Sequence, residues 1–342
     1  MHGATPSSPI SHSTNARADS IKRIASLTAA LAISTGAAAE MTQTEITAPG
    51  PLGPLRGTLL SPATTPQAPV VLIVPGSGPT DRDGNNRYGI RGATYRLLAQ
   101  GLAERGIASV RIDKRGLFGS AAAATSADDV TIADYAGDVH AWIASIRRQT
   151  NASCVWVLGH SEGGLIGLAA ARTPGDICGL ILVAAAGRPL GQLLEEQLRA
   201  NLANAPLLDK ALAALRELEA GHVIPADRID APLMPLFHPK VQRFLMSEMA
   251  LDPAALIAGY DKPVLIVQGL KDLQVRRQDA ERLKAANPDA EMVLIPDANH
   301  VLKKVDSDDP RENFATYGAT DLPLEGRIVP AITEFILRPR GQ

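Results

Sequence analysis

Short, nearly unbroken apolar runs alternate along this chain with segments whose apolar residues recur at helical spacing. Residues 70–74, 107–112, 154–158, 179–183, 263–269 and 291–296 are runs of strand length with few polar positions. That pattern is expected of strands covered on both faces, as in a parallel sheet. Between them, 93–105, 132–149 and 276–286 read as helices, the second carrying Ile132, Tyr135, Ala136, Val139, Ile143 and Ile146 along one face. Strands alternating with helices predict an α/β chain with a doubly wound, mostly parallel sheet. Residues 45–47 and 56–60 flank a Gly/Pro-rich turn and predict an antiparallel opening hairpin, which the Pro-rich stretch 61–69 joins to the first core strand.

The rhythm breaks at residue 188. From there to 259 no strand run occurs, and Leu-rich segments 190–201, 207–220 and 241–249 read as helices. The expected organisation is a core of residues 40–187 and 260–342 interrupted by a helical cap, 188–259. Leu193, Leu194, Leu198, Leu233, Met234, Leu236 and Phe237 are candidates either for an apolar acyl site or for seating the cap on the body. Gly187 and Gly259, at its edges, are candidate hinges. Residues 304–324 read as a polar loop, and a helix at 328–337 is expected to pack the final strand.

The chemistry sits where the run 154–158 meets Gly159-His160-Ser161-Glu162-Gly163, followed at once by a helical stretch. A strand, a sharp turn and a helix around G-x-S-x-G form the context of a nucleophile elbow. The turn is tight enough that side chains at Gly159 or Gly163 would collide with the neighbouring strand and helix. Ser161 is then the candidate nucleophile, held strained at the end of a strand with a helix N-terminus beneath it. Its partners are expected in the order acid, then histidine, on loops after later strands. Asp272 follows the run 263–269, and His300 follows 291–296. The other histidines fit less well: His2 and His12 lie in a polar tail, His140 mid-helix, His160 inside the elbow, and His222 and His238 in the helical insert. For the acid, Asp261, Asp279 and Asp297 stay open beside Asp272 as residues that cap or solvate.

Acyl transfer needs two donors aimed at a developing oxyanion. One is the backbone N–H of Glu162, next to the nucleophile. The other is expected from the glycine-rich loop 75–86, with the N–H of Ser77 chosen and that of Gly76 as the fallback. Arg115 is expected to pair with a nearby acid. Such chemistry needs no cofactor, and neither cysteine has a metal-ligand spacing or a partner cluster, so no metal site is expected.

Gly76-Ser77-Gly78-Pro79-Thr80-Asp81-Arg82-Asp83-Gly84, Asp113-Lys114-Arg115-Gly116 with Gly119-Ser120, the elbow, Gly269-Leu270-Lys271-Asp272 and Asn299-His300-Val301-Leu302-Lys303 together carry a resemblance. The chain is similar to bacterial serine hydrolases of the α/β-hydrolase superfamily, in the esterase-like group with a G-S-G-P-x-D-R-D-G loop. The resemblance runs from about residue 43 to the C-terminal helix. It implies the α/β-hydrolase fold and hydrolysis of a small-molecule carboxylic ester. A peptidase, an amidase, a lipase or a polyester hydrolase would use the same triad, whereas a non-catalytic binding protein on this fold would be expected to break it.

Composition adds limits. With 45% hydrophobic and 20% charged residues and a formal net charge of −2, nothing suggests a nucleic-acid partner. Lys22 and Arg23, the apolar stretch 24–33 and Ala37-Ala38-Ala39 have the layout of an export signal, too short to span a bilayer. Residues 1–39 are therefore expected to be a disordered leader and signal, with Glu40 first in the mature chain and a periplasmic or secreted location; a cytoplasmic protein is the alternative. Cys154 and Cys178 open adjacent strands. They are expected either to bridge in an oxidising compartment or to stay buried thiols.

Overall fold

The computed structural model describes residues 41–63, 67–173 and 175–339. The expected leader and Glu40 lie outside them. Eight strands, β1 (Thr42–Ala48), β2 (Leu55–Ser61), β3 (Val70–Val74), β4 (Ala108–Ile112), β5 (Val155–His160), β6 (Ile177–Val183), β7 (Val264–Gly269) and β8 (Glu291–Ile295), form one sheet in the order β1-β2-β4-β3-β5-β6-β7-β8. β2 runs antiparallel to β1 and β4, and every pairing from β4 to β8 is parallel. The strand order reverses at β3, which lies between β4 and β5. Loops leaving the carboxyl ends of β3 and β5 therefore diverge and open a crevice, the usual ligand position in such sheets.

The unbroken apolar runs have the predicted cause. Val70, Leu72 and Val74 of β3 enter a core on one face of the sheet, while Val71 and Ile73 enter a second core on the other. The chain supplies α1 (Thr94–Ala103), α2 (Ile132–Thr150), α3 (Glu162–Ala171), α4 (Leu190–Ala200), α5 (Leu208–Glu219), α6 (Met234–Phe237), α7 (Pro239–Met249), α8 (Pro253–Ala258), α9 (Arg277–Ala286), α10 (Pro310–Ala315) and α11 (Ile328–Leu337). α2 starts at a reciprocal capping box between Thr131 and Asp134, which satisfies two backbone donors at that end. α11 packs on α1 and β7, with Phe335 edge-on to Trp156 of β5, and not chiefly on the final strand as expected. Within the stretch expected to be a polar loop, α10 begins at Asp309, whose side chain caps the Arg311 N–H.

The helices between β6 and β7 have a core of their own, built on Leu198, Leu212, Leu215, Leu218, Phe237 and Met249. The last of them, α8, departs from this: its Ile257 is buried in the main core, against α3 and α9. Gly187, expected as a hinge, is instead a close contact. Its N–H donates to Asp279 Oδ1, and a Cβ there would lie 2.1 Å from the Asp279 carbonyl oxygen. Cys154, just before β5, and Cys178, second in β6, are joined as a disulfide with Cα atoms 5.1 Å apart. Among the described residues no helix is long and apolar enough to cross a membrane.

Candidate active site

Ser161 stands between β5 and α3 with φ 57° and ψ −124°, a strained backbone for a residue with a side chain. What holds it there is close packing around two glycines. A Cβ on Gly159 would lie 2.1 Å from the Gly163 carbonyl oxygen, and one on Gly163 would lie 2.2 Å from the Val74 carbonyl oxygen. Neither contact is tolerable, so glycine is obligatory at both. Ser161 thus projects from the carboxyl end of the sheet with the first turn of α3 behind it, where unpaired N–H groups carry partial positive charge.

The loops after β7 and β8 bring Asp272 and His300 together. His300 Nδ1 lies 2.8 Å from Asp272 Oδ2, and both residues are buried. The other carboxylate oxygen accepts the backbone N–H groups of Gln274 at 2.8 Å and Val275 at 2.9 Å. Fixed this way, the carboxylate holds the proton on Nδ1 and leaves the Nε2 lone pair free. Of the alternative acids, Asp279 is committed to Arg188 and to the start of α9, and Asp297 pairs with Arg327. Ser161 and His300 line one pocket of about 100 Å³ with Gly76, Ser77, Thr80, Tyr95, His160 and Gln274. None of the insert leucines named above, nor Met234 or Phe237, lines it; Leu198 and Phe237 are spent on the insert's own core.

The loop after β3 comes very close to the serine: a Cβ on Gly76 would lie 3.1 Å from the Ser161 Cβ. The loop is tied down through charges that do not pair with one another. Arg82 binds Asp113 and Glu45, Asp83 binds Arg111, and Asp81 accepts the N–H groups of Asp83 and Asn85. The Gly76 N–H, the fallback oxyanion donor, is already spent on the Tyr95 hydroxyl at 2.9 Å. No described residue accepts from the Ser77 N–H. Arg115 pairs with Asp134 and Asp138, as expected.

Three residues of the site were not anticipated from sequence. His160 Nε2 lies 2.8 Å from the His300 carbonyl oxygen, and His160 Nδ1 lies 2.9 Å from the Tyr95 hydroxyl. A carbonyl only accepts, so Nε2 carries the proton; Nδ1 must then accept from Tyr95, whose oxygen accepts from Gly76. Burial, followed by the nearby His300, pushes the His160 pKa down to about 3, so the ring is neutral and this direction of donation is fixed. Burial likewise pushes the Tyr95 phenol far up. The third is Lys114, whose Nζ donates to the Gly76 carbonyl and to Glu162 Oε1, each at 2.8 Å. Glu248 of α7 is buried near this pair; burial and the Glu162 charge push its pKa well up. Adjacency of His160 to the serine was the available signal for one of the three. Lys114 adjoins Arg115 in Asp113-Lys114-Arg115-Gly116, and nothing in the sequence separates the roles of the two cations. Among the described residues no group of three or more His, Cys, Asp or Glu could hold a metal ion.

Esterase EstD of Thermotoga maritima is 25% identical over 257 residues, covering 72% of this chain and 58% of its own. Lipase 1 of Psychrobacter immobilis is 26% identical over 185 residues, covering 48% of this chain and 56% of its own. This chain therefore spans less than two thirds of either curated relative. Among solved structures, Est1E from Butyrivibrio proteoclasticus superposes with a TM-score of 0.52 at 17% identity, covering 86% of this chain and 97% of that one, a likeness in fold. The family model for the alpha/beta hydrolase family matches residues 70–316, a span that includes the elbow, the acid loop and the histidine loop. With its sheet order, its switch at β3 and that match, the chain belongs to the alpha/beta hydrolase family.

Proposed function

We propose that the protein is a serine hydrolase acting on small carboxylic esters through Ser161, His300 and Asp272. The observation that carries this reading is the 2.8 Å bond from His300 Nδ1 to Asp272, with His300 and the strained Ser161 facing one pocket. His300 Nε2 takes the proton as Ser161 attacks the ester carbonyl, and Asp272 holds the tautomer and balances the imidazolium charge. The oxyanion is received by the N–H groups of Ser77 and Glu162. His300 then returns the proton to the leaving alcohol and activates the water that releases the acid.

A pocket of about 100 Å³ suits a short acyl group, which favours an esterase over an enzyme of long-chain lipids. The names of the relatives, an esterase and a lipase, support ester chemistry over amide chemistry. We propose export as well, since a disulfide is a stable cross-link in an oxidising compartment.

The test is turnover of p-nitrophenyl esters of increasing acyl length beside a matched anilide, together with fluorophosphonate labelling. Expected are fastest turnover of the shortest esters, negligible anilide cleavage, and loss of both turnover and label in Ser161→Ala. A Ser161→Ala protein that still turned over or took the label would refute the reading.

A further inference from the structure

Lys114 follows β4 in the Asp113-Lys114-Arg115-Gly116 motif and is almost wholly buried, as is the Glu162 side chain it binds. Its ammonium makes two bonds that converge on the candidate oxyanion site from behind. The first goes to the Gly76 carbonyl, the oxygen of the peptide unit whose N–H belongs to Ser77. That unit is planar, and in the trans form its C=O and N–H point in opposite directions. Drawing the oxygen toward Lys114 therefore turns the Ser77 N–H away from Lys114. A cation on the carbonyl also polarises the amide and strengthens its N–H as a donor. The second bond fixes the Glu162 side chain, and the Glu162 N–H is the other candidate donor.

The Gly76 segment is held from its other side too, by the bond from its N–H to Tyr95. A Tyr135 ring lies under the ammonium, with its centroid 5.2 Å from Nζ, and the Glu248 carboxyl of α7 is the further acidic group that acts on it. A buried ion pair is weak evidence for stability, because desolvation offsets most of the attraction. The placement of this one beside both donors asks for a role beyond stability.

We infer that Lys114 is a positioning residue of the oxyanion site: through the Gly76 carbonyl and the Glu162 carboxylate it sets the amides of Ser77 and Glu162 toward the tetrahedral oxygen. This rests on the acyl-transfer reading above. The role is for transition-state charge, so its loss should lower kcat and leave KM nearly unchanged.

Lys114→Met alone strands a buried carboxylate and risks unfolding, so the deciding protein is the double variant Lys114→Met/Glu162→Met, which removes both charges at similar volume. The readouts are p-nitrophenyl acetate kinetics, melting temperature, and the affinity of phenylboronic acid, which forms a tetrahedral adduct with the serine. In a folded double variant kcat should fall about 100-fold and boronate affinity by a similar factor, the range seen when one oxyanion donor is lost, while KM moves by no more than about threefold. Glu162→Gln, which keeps an acceptor for the ammonium, should retain kcat within about tenfold of the unaltered protein. Unchanged kcat and boronate affinity in a folded double variant would overturn the role of Lys114 while leaving the hydrolase reading standing. No Ser161-dependent turnover in the unaltered protein would overturn both.

Discussion

His160 donates its Nε2–H to the backbone carbonyl of His300 at 2.8 Å, so the residue before the candidate nucleophile is bonded to the candidate base. The ring's other bond, in which Nδ1 accepts from the Tyr95 hydroxyl, needs a neutral His160, and burial holds its pKa at about 3 against an ordinary value of 6.5. Between those values the unfolded chain binds a proton that the folded chain does not, so stability falls as pH drops through this window and is fully present above it. The expected slope from this residue is about 1.4 kcal/mol per pH unit. Urea unfolding from pH 4 to pH 7, compared with His160→Gln, measures it. A slope equal in the two proteins would remove His160 as its source.

Asp272→Asn keeps the shape of the acid loop but lets an amide face His300 Nδ1, which favours the wrong tautomer. Expected is a fall in kcat of about 10³- to 10⁴-fold with substrate binding nearly intact, by analogy with other serine triads. Ester kinetics on a variant with an unchanged circular-dichroism spectrum provide the check; a loss below tenfold would point to one of the other aspartates.

Gly163→Ala places a methyl 2.2 Å from the Val74 carbonyl oxygen, where β3 and α3 are both anchored in the core. Neither neighbour can shift cheaply, so the expected cost is roughly 3 kcal/mol or more. Chemical denaturation measures it, and a stable, active Gly163→Ala protein would mean that the elbow is looser than described.

Replacing both Cys154 and Cys178 by serine opens a cross-link between residues separated by 24 positions. Loop-closure entropy puts the expected loss at about 3 kcal/mol. Thermal melting of the variant beside the oxidised parent reads the difference directly. Since the bridge lies at the opposite end of β5 from Ser161, kcat below the melting range should not change.

Burial and the Glu162 charge push the Glu248 pKa well above its ordinary value, with Lys114 acting against both. The folded chain binds a proton here that the unfolded chain gives up above about pH 4.5, so this residue's contribution shrinks as pH rises. Glu248→Gln should therefore gain melting temperature relative to the parent at pH 8 more than at pH 5. An equal effect at both values would place the carboxyl in its ionised form.

The strands were legible because a parallel sheet covered on both faces leaves polar residues few places: Val157 and Leu158 face opposite cores, and each is fully buried. That Asp272 and His300 come together was legible from order along the chain, since they follow β7 and β8, which continue the parallel sheet from β5 and β6. The bond between Tyr95 and His160 was not legible. The two are 65 residues apart, and the contact exists only because the first turn of α1 reaches the elbow beside the Gly76 loop. α8 and α10 are each 6 residues long, too short for apolar periodicity to announce them. Lys114 and Arg115 are adjacent cations in sequence; only the geometry past β4 sends one toward Gly76 and the other toward Asp134 and Asp138.

β6 and β7 are direct neighbours in the sheet, Leu180 opposite Val264, although the whole helical segment separates them in sequence. The Ala184 N–H, just past β6, donates to the Val267 carbonyl of β7 at 2.9 Å. The excursion therefore leaves at the carboxyl end of β6 and rejoins at the amino end of β7, two strands already stitched to each other along their length. That ladder holds the register by itself, so change confined to α4 and α5, which pack on a separate core, need not move the strands that carry the reacting groups.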